Sequence, residues 1–432
     1  MSLQVLELND HALVLGDAEG PQVVSPGFVL ADDKDLVFGI EAQAQSRLHP
    51  NQSHSRFWQD LSLEPLAKGR LPNPRWRHLA DLAHGHLDAL AQQSGGEQTS
   101  TVLSVPGSFS QQQLGILVGI AKQTPLQVNG LVDSSLLTAA ALPVAKTSLV
   151  MQQQLHQTLF SLVELNAGQL RVVETQAVAS TGSAQVLDAL MHLSTNLFIE
   201  QCRFNPQHDA ATEQLLYNAL PQWLSSQPNG STLQLDLNAD GTAYTAKLTS
   251  DSLIAALAPI RSRLLEQLAA LRQRAPEAEL IACPTLAALP GLHDALRSLG
   301  SLSIVAVEQS LAVAHKVSDQ LTSGEGLSLH RALNVEALDT LGPAVAPDNE
   351  SAKAREFFAT ATLHADGGDA AQLLKQTRLD GQPLNSVGTG AVRVELGDGE
   401  RLVIRAADSS ELTIELSSKD AAASQRGSDG QE

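Results

Sequence analysis

The alternation of short apolar strands with helical periodicities predicts an α/β fold with a mainly parallel sheet. The clearest instance runs from Thr101 to Leu142. Val102 to Val105 is a β-branched run stopped by Pro106-Gly107, and Ser110 caps a helix whose apolar positions Leu114, Leu117, Val118 and Ala121 recur at helical spacing. Pro125 ends that helix, Leu126 to Val132 returns as a strand, and Asp133 or Ser134 caps a further helix over Ser135 to Leu142. Parallel neighbours need helical crossovers, which this order supplies. The composition agrees: aromatics are 3% of the chain while Ala and Leu abound, which suits helices packed on sheets. A chain of 432 residues is long enough for two or three domains with sizeable cores.

Taken in order, Leu3–Leu8 and Ala12–Leu15 read as strands joined by Asn9-Asp10, with a turn at Gly16–Gly20 before Val23-Val24. Phe38-Gly39 suits a strand end, Ala42–Arg47 a helix, and Trp76–Gln92 a long amphipathic helix. Leu149–Met151 and Ser161–Leu165 are strands around the turn Gln152–Gln157. Ala184–Phe204 and Asp209–Leu224 read as helices, Leu233–Leu237 and Ala243–Leu248 as a hairpin, and a helix capped by Thr249 or Ser250 runs to about Arg274. Leu280–Cys283 is a buried strand, and Ile304–Val307 and Glu308–Lys316 are strand and helix. Leu321–Glu350 mixes Gly, Pro and polar residues as loops do, and Ala354–Thr362 fits helix or strand. Val392–Leu396, Arg401–Ala406 and Leu412–Leu416 alternate as strands do.

Charge and composition exclude several functions. With 28 basic against 47 acidic residues the net charge is -19, which argues against nucleic acid or an anionic membrane as partner. No signal segment opens the chain and no apolar run reaches about 18 residues, so a cytoplasmic protein is expected. Cys202 and Cys283 are too few for a disulfide framework or zinc site and read as small core residues. His84 and His86 lack the i, i+4 spacing of a helical metal pair. Ser108 lacks a hydrolase elbow, and Gly388–Gly390 introduces no nucleotide-binding strand and helix.

Several stretches share an order with one family. Val105-Pro106-Gly107-Ser108-Phe109, Leu126-Gln127-Val128 and Thr138-Ala139-Ala140-Ala141 stand where that family has Val-Pro-Ala-Tyr-Phe, Leu-x-Val and Pro-Thr-Ala-Ala-Ala. Asp17-Ala18-Glu19-Gly20 and Ser25-Pro26-Gly27 match its Asn-Ala-Glu-Gly and Thr-Pro-Ser. Over roughly three quarters of its length the chain resembles the ATPase domain of DnaK-type, seventy-kilodalton heat-shock chaperones, within the actin-like ATPase superfamily. The resemblance implies two α/β lobes around a cleft: residues 1–147, then 148–317 with an inserted subdomain at 184–280. A β-rich appendage over 318–416 and a disordered tail over 417–432 follow.

The resemblance is to the scaffold. Where the family has Asp-Leu-Gly-Thr-Thr around phosphate, Glu7-Leu8-Asn9-Asp10 stands with no glycine. Its Asp-Leu-Gly-Gly-Gly-Thr turn, holding phosphate and Mg²⁺, becomes Gln152-Gln153-Gln154-Leu155-His156-Gln157, and its adenosine loop becomes Pro284-Thr285-Leu286-Ala287. The family's catalytic Lys has no counterpart after Arg56, and Leu136 replaces the expected Glu. The degenerate cleft positions are Asn9, Asp10, Gln154, His156 and Thr285, with no catalytic or metal residue among them. His156 is read either as a solvated loop histidine or as a contact to an anion. The expectation is a non-catalytic binding or scaffolding protein with no cofactor and an unidentified protein partner. The alternatives are an ATP- and Mg-dependent chaperone or switch with diverged loops and, third, an actin-like filament subunit.

Overall fold

The computed structural model describes residues 3–335, apart from 68, 96–98, 226–231, 240 and 323–326, and the backbone of four short strands beyond residue 377. The chain forms two compact units, Met1–Ala344 and Val345–Glu432.

The first unit opens with β1 (Leu3–Glu7), β2 (Leu13–Asp17), β3 (Gly20–Ser25), β4 (Val29–Ala31), β5 (Leu36–Phe38), α1 (Gly39–Gln43), β6 (Ser53–His54) and α2 (Leu79–Gln93). Then come β7 (Thr99–Val105), α3 (Gln111–Ala121), β8 (Leu126–Asp133) and α4 (Ser134–Ala140). A second series follows: β9 (Thr147–Gln153), β10 (Gln157–Asn166), β11 (Gln169–Ala179), α5 (Ser183–Cys202), α6 (Ala210–Ser225), β12 (Thr232–Ala239) and β13 (Thr242–Thr249). It ends with α7 (Ser250–Ala256), α8 (Ala258–Arg274), β14 (Glu279–Ala282), α9 (Pro284–Ala287), α10 (His293–Leu299), β15 (Leu302–Ile304), α11 (Val307–Lys316) and α12 (Ser318–Thr322). Two short strands, β16 (Leu329–His330) and β17 (Ala332–Asn334), close the series.

Two six-stranded sheets repeat one plan. The first has the order β16-β8-β7-β1-β2-β3 and the second β15-β14-β9-β10-β11-β17. In each, the leading strand pairs antiparallel with its successor on one side and parallel with a later strand on the other: β1 with β2 and β7, β9 with β10 and β14. Alternation along the strands builds the cores, because successive side chains leave opposite faces. Leu6, Leu103 and Leu131 pack under α2 and α3, while Val5, Val102 and Val132 enter a central cluster that also holds Val150, Val163 and Ile281 of the second sheet. Helices α4 and α11 supply Leu136, Leu137, Leu311 and Ala314 to that cluster, so it joins both sheets. Leu149 and Met151 face the third core, with α5, α6 and α8.

The expected α/β class is observed, and the parallel strands run from Thr99 to Asp133 as read. The strand expected over Ile304–Val307 lies at Leu302–Ile304, with Val307 opening α11, and the helix expected over Ala42–Arg47 is Gly39–Gln43. Three further elements differ. The helix expected from Trp76 starts at Leu79, because Asp81 Oδ2 accepts the amides of Arg77 at 2.6 Å and His78 at 2.9 Å. The single helix expected from Thr249 to Arg274 is two, α7 and α8, since Pro259 has no N–H to continue the first. Residues 329–334, grouped by sequence with the appendage, hydrogen-bond to the two large sheets: β16 runs parallel to β8 and β17 antiparallel to β11. Cys202 and Cys283 are half-buried and pack against the third core; Cys202 Sγ donates to Thr245 O at 3.0 Å.

The second unit pairs β18 (Arg378–Leu379) with β19 (Gln382–Pro383), and β20 (Arg401–Arg405) with β21 (Glu411–Glu415), both antiparallel. The last pair falls where alternation predicts strands. Ala354–Thr362, Gly388–Gly390, Val392–Leu396 and the tail 417–432 lie outside the described residues. Among the described residues no helix is long and apolar enough to cross a membrane.

Candidate functional site

The repeated plan brings the turn after β1 against the turn after β9. Carboxyl ends of parallel strands are where open α/β sheets place ligands. Here the two turns bind each other. Asn9 Nδ2 donates to Gln153 O at 3.0 Å, and the Leu155 amide donates to Asp10 Oδ1 at 2.7 Å. His11 Nδ1 lies 2.7 Å from Ser183 Oγ at the start of α5. Ser134 Oγ donates to Gln152 Oε1 at 3.0 Å, closing the seam from α4.

A relay of neutral amides stitches the flank. Gln113 Nε2 donates to Gln59 O, Gln59 Nε2 to Gln157 Oε1, and Gln157 Nε2 to Gln154 Oε1, at 3.0, 3.1 and 2.6 Å. His156 is buried and bridges the seam: Nε2 donates to Ser55 O at 3.0 Å, and Nδ1 lies 3.5 Å from Gln185 Nε2. Burial, then the charge of Arg56, holds its pKa below the usual imidazole value. It is therefore not a solvated loop histidine, and both ring nitrogens face groups of the chain. Thr285 is exposed on α9 and reaches the seam through Cys283, whose Sγ lies 3.4 Å from Thr285 Oγ1 and accepts from the Gln153 amide at 3.3 Å. Asn9, Asp10, Gln154 and His156 thus all lie along the seam, and Thr285 reaches it through Cys283.

Arg47, which sequence reasoning did not single out, spans the next level. Its backbone N–H donates to Gln214 Oε1 at 2.7 Å, its Nη2 meets Asp188 Oδ1 at 2.7 Å, and its guanidinium lies 4.6 Å from the Tyr217 ring centroid. Removing this side chain as Arg47→Ala is expected to lower stability by about 1–2 kcal/mol, discounted for partial exposure. It should also speed hydrogen exchange at the Leu155 amide, which exchange mass spectrometry would read; unchanged exchange would separate Arg47 from the seam.

The acids of the seam are buried. Burial lifts Glu7 to about 7, with the Ser104 hydroxyl beside it offsetting a smaller part, and Glu7 Oε2 has no hydrogen-bond partner among the described residues. Burial lifts Asp10 to about 6, opposed by the Leu155 amide and then by Arg56. Asp133 is also raised by burial, against its Ser135 contacts and Arg331. The signal for Glu7 was present in sequence, since a strand covered on both faces has no solvent side for a carboxylate.

The seam leaves little room. Glu7, Asn9, Ser134, Gln152 and Gln154 line a cavity of about 10 Å³, space for one water. A phosphate cradle needs free amides, yet those at the start of α5 are engaged: Ser183 N–H donates to Gln154 O and Ala184 N–H to Leu155 O, at 2.9 and 2.8 Å. Gly182 beneath them has no space for a Cβ, which would lie 2.4 Å from Leu155 O. ATP with Mg²⁺ therefore does not fit the residues present. His11 Nδ1 and Ser183 Oγ lie at a nucleophile–base distance, and the amides of Ser183 and Ala184 beside them are engaged within the chain. Among the described residues no group of three or more His, Cys, Asp or Glu could hold a metal ion. A groove of about 490 Å³ at the opposite strand ends is lined, among the described residues, by Leu3, Ser100, Val128, Asn129, Ser318, Thr322 and Leu327.

No protein-family model matches this chain, and no curated protein matches it.

Proposed function

We propose that the first unit is a non-catalytic binding or scaffolding protein on the two-lobed plan of the actin-like and DnaK-type ATPases, working in the cytoplasm. The observation that carries this reading is the self-filled seam: side chains and turn carbonyls of the chain occupy the groups that would meet a phosphate. Phosphoryl transfer depends on positioned metal and charge, and the seam offers buried carboxyls and amides instead. The repeated sheet order and the motif order of the sequence support the two-lobed plan. A seam closed by contacts within the chain needs no nucleotide to hold it, so the surface offered to a protein partner is constant.

The test is calorimetric titration and thermal melting of the full chain with ATP and ADP, each with and without Mg²⁺. A ligand present at about 100 times its Kd stabilises by about 2.7 kcal/mol, so 1 mM nucleotide reveals even weak binding. The expected result is no saturable heat and an unshifted melting curve. Saturable, Mg²⁺-dependent binding would establish instead a nucleotide-regulated chaperone or switch. Reversible sedimentation of large assemblies at rising concentration would establish a filament subunit.

A further inference from the structure

Leu66 N–H donates to Arg77 O at 2.8 Å, which closes a surface loop whose described part is residues 67 and 69–76. Two apolar feet hold it: Leu71 is buried in the core of the first sheet and Trp76 packs against that core. Asn73 braces the middle, accepting from the Arg75 amide at 2.9 Å and donating to Asp33 O at 2.9 Å. Pro72 and Pro74 fix two further φ angles. Such a loop keeps its shape before any partner arrives.

What it displays is positive. Residues 61–78 carry Lys68, Arg70, Arg75 and Arg77 against Glu64 alone, in a chain of net charge -19. Arg70, Arg75 and Arg77 are exposed, and no carboxylate among the described residues lies within ion-pair distance of their guanidiniums. Their field is felt locally: burial and then the charge of Arg70 hold His54 below its ordinary pKa. The bordering turn carries Asp32, Asp33 and Asp35 with Lys34, and Asp32 Oδ1 is spent on the amides of Lys34 and Asp35. Those acids bound the cationic face on one side.

We propose that the loop at residues 69–77 is a docking site for a short acidic segment of a partner protein, with Arg70, Arg75 and Arg77 gripping its carboxylates. Guanidinium forks match carboxylates in pairs of hydrogen bonds, which an ammonium does not. The occupant is short because a longer polyanion, nucleic acid included, would run off the loop onto acidic surface. Leu63, 56% exposed just before the loop, offers an apolar contact beside the charges.

The experiment is fluorescence anisotropy of the full chain with a labelled decapeptide of alternating Asp and Glu around one Leu, at 20 and 200 mM NaCl. The same peptide with Asn and Gln in place of the acids is the control. Binding of the acidic peptide alone is expected, weakened at least 10-fold by R70A/R75A/R77A and several-fold by the corresponding triple Lys variant. Exposed arginines elsewhere, changed in R263A/R297A, should leave it unaltered. The proposal is overturned by no binding, by binding that survives the triple Ala change, by equal loss in R263A/R297A, or by tighter binding of a single-stranded oligonucleotide of equal charge. Circular dichroism of each variant separates lost contact from lost fold.

Discussion

Glu7→Gln is expected to stabilise the protein by about 3 kcal/mol at pH 8 and by nothing at pH 4. Burial moves the carboxyl from 4.5 to about 7, so the folded chain binds this proton more tightly than the unfolded chain does. For an acid shifted upward, the stabilising contribution is complete below pH 4.5 and is lost as pH rises through about 7. Above that, the native state holds an ion whose Oε2 has no partner among the described residues. Gln keeps the shape and cannot ionise, so the wild-type loss disappears in the variant. Urea unfolding of both proteins at pH 4, 6 and 8 measures the difference. Two parallel stability profiles would mean that the Glu7 carboxylate is paired or well hydrated, and the closed seam would fail with it. Asp10→Asn follows the same sign over 3.8 to about 6. Its Oδ1 contact with the Leu155 amide survives, so the loop geometry is retained.

Local signals carried most of the framework. Pro106-Gly107, Ser110, Pro125 and Asp133 punctuate one strand–helix–strand–helix run, and each acts on residues within a few positions of itself. Ser110 does cap α3 and Asp133 does cap α4. Pro259 was equally local, and its effect on the long helix was legible but unread. The seam is another matter. Comparison of turns singled out Asn9, Asp10, Gln154 and His156, but the bonds that join the two turns, Asn9 to Gln153 and Asp10 to Leu155, span separations of 144 and 145 residues. No periodicity encodes such a partnership. Arg47 with Asp188 and His11 with Ser183 were missed for the same reason, since each half of the pair is an ordinary surface residue until the two sheets meet. The loss of glycines said that phosphate would be poorly held. What took its place, turn carbonyls seated on the amides of α5, needed coordinates.

His86 is expected to make the first sheet acid-labile, by about 5 kcal/mol between pH 6.5 and 3. It is fully buried on α2, stacked on Phe38 with ring centroids 5.2 Å apart. Trp58 Nε1 lies 3.1 Å from its Nδ1, and an indole N–H can only donate, so Nδ1 must be the bare acceptor and Nε2 the donor to Ser25 Oγ at 2.8 Å. A second proton on Nδ1 would face the indole hydrogen. Burial accordingly holds the pKa at about 3, well below the ordinary imidazole value. The histidine stays neutral in the folded chain while the unfolded chain protonates, so its stabilisation is present above pH 6.5 and is lost as pH falls toward about 3. His86→Leu leaves Trp58 Nε1 and Ser25 Oγ without this partner, which should cost about 2–4 kcal/mol at pH 8. The variant escapes the acid loss, so its stability profile should converge on the wild type and meet it near pH 4–5. Parallel profiles would mean that the ring reaches water or accepts its proton in place. Because Ser25 ends β3 and contacts Gly39 at the start of α1, where a Cβ would lie 2.3 Å from Ser25 Oγ, acid release of His86 would loosen the segment that leads to Arg47. The same titration, followed by hydrogen exchange at Leu155, therefore reads whether the seam yields before the global fold or together with it.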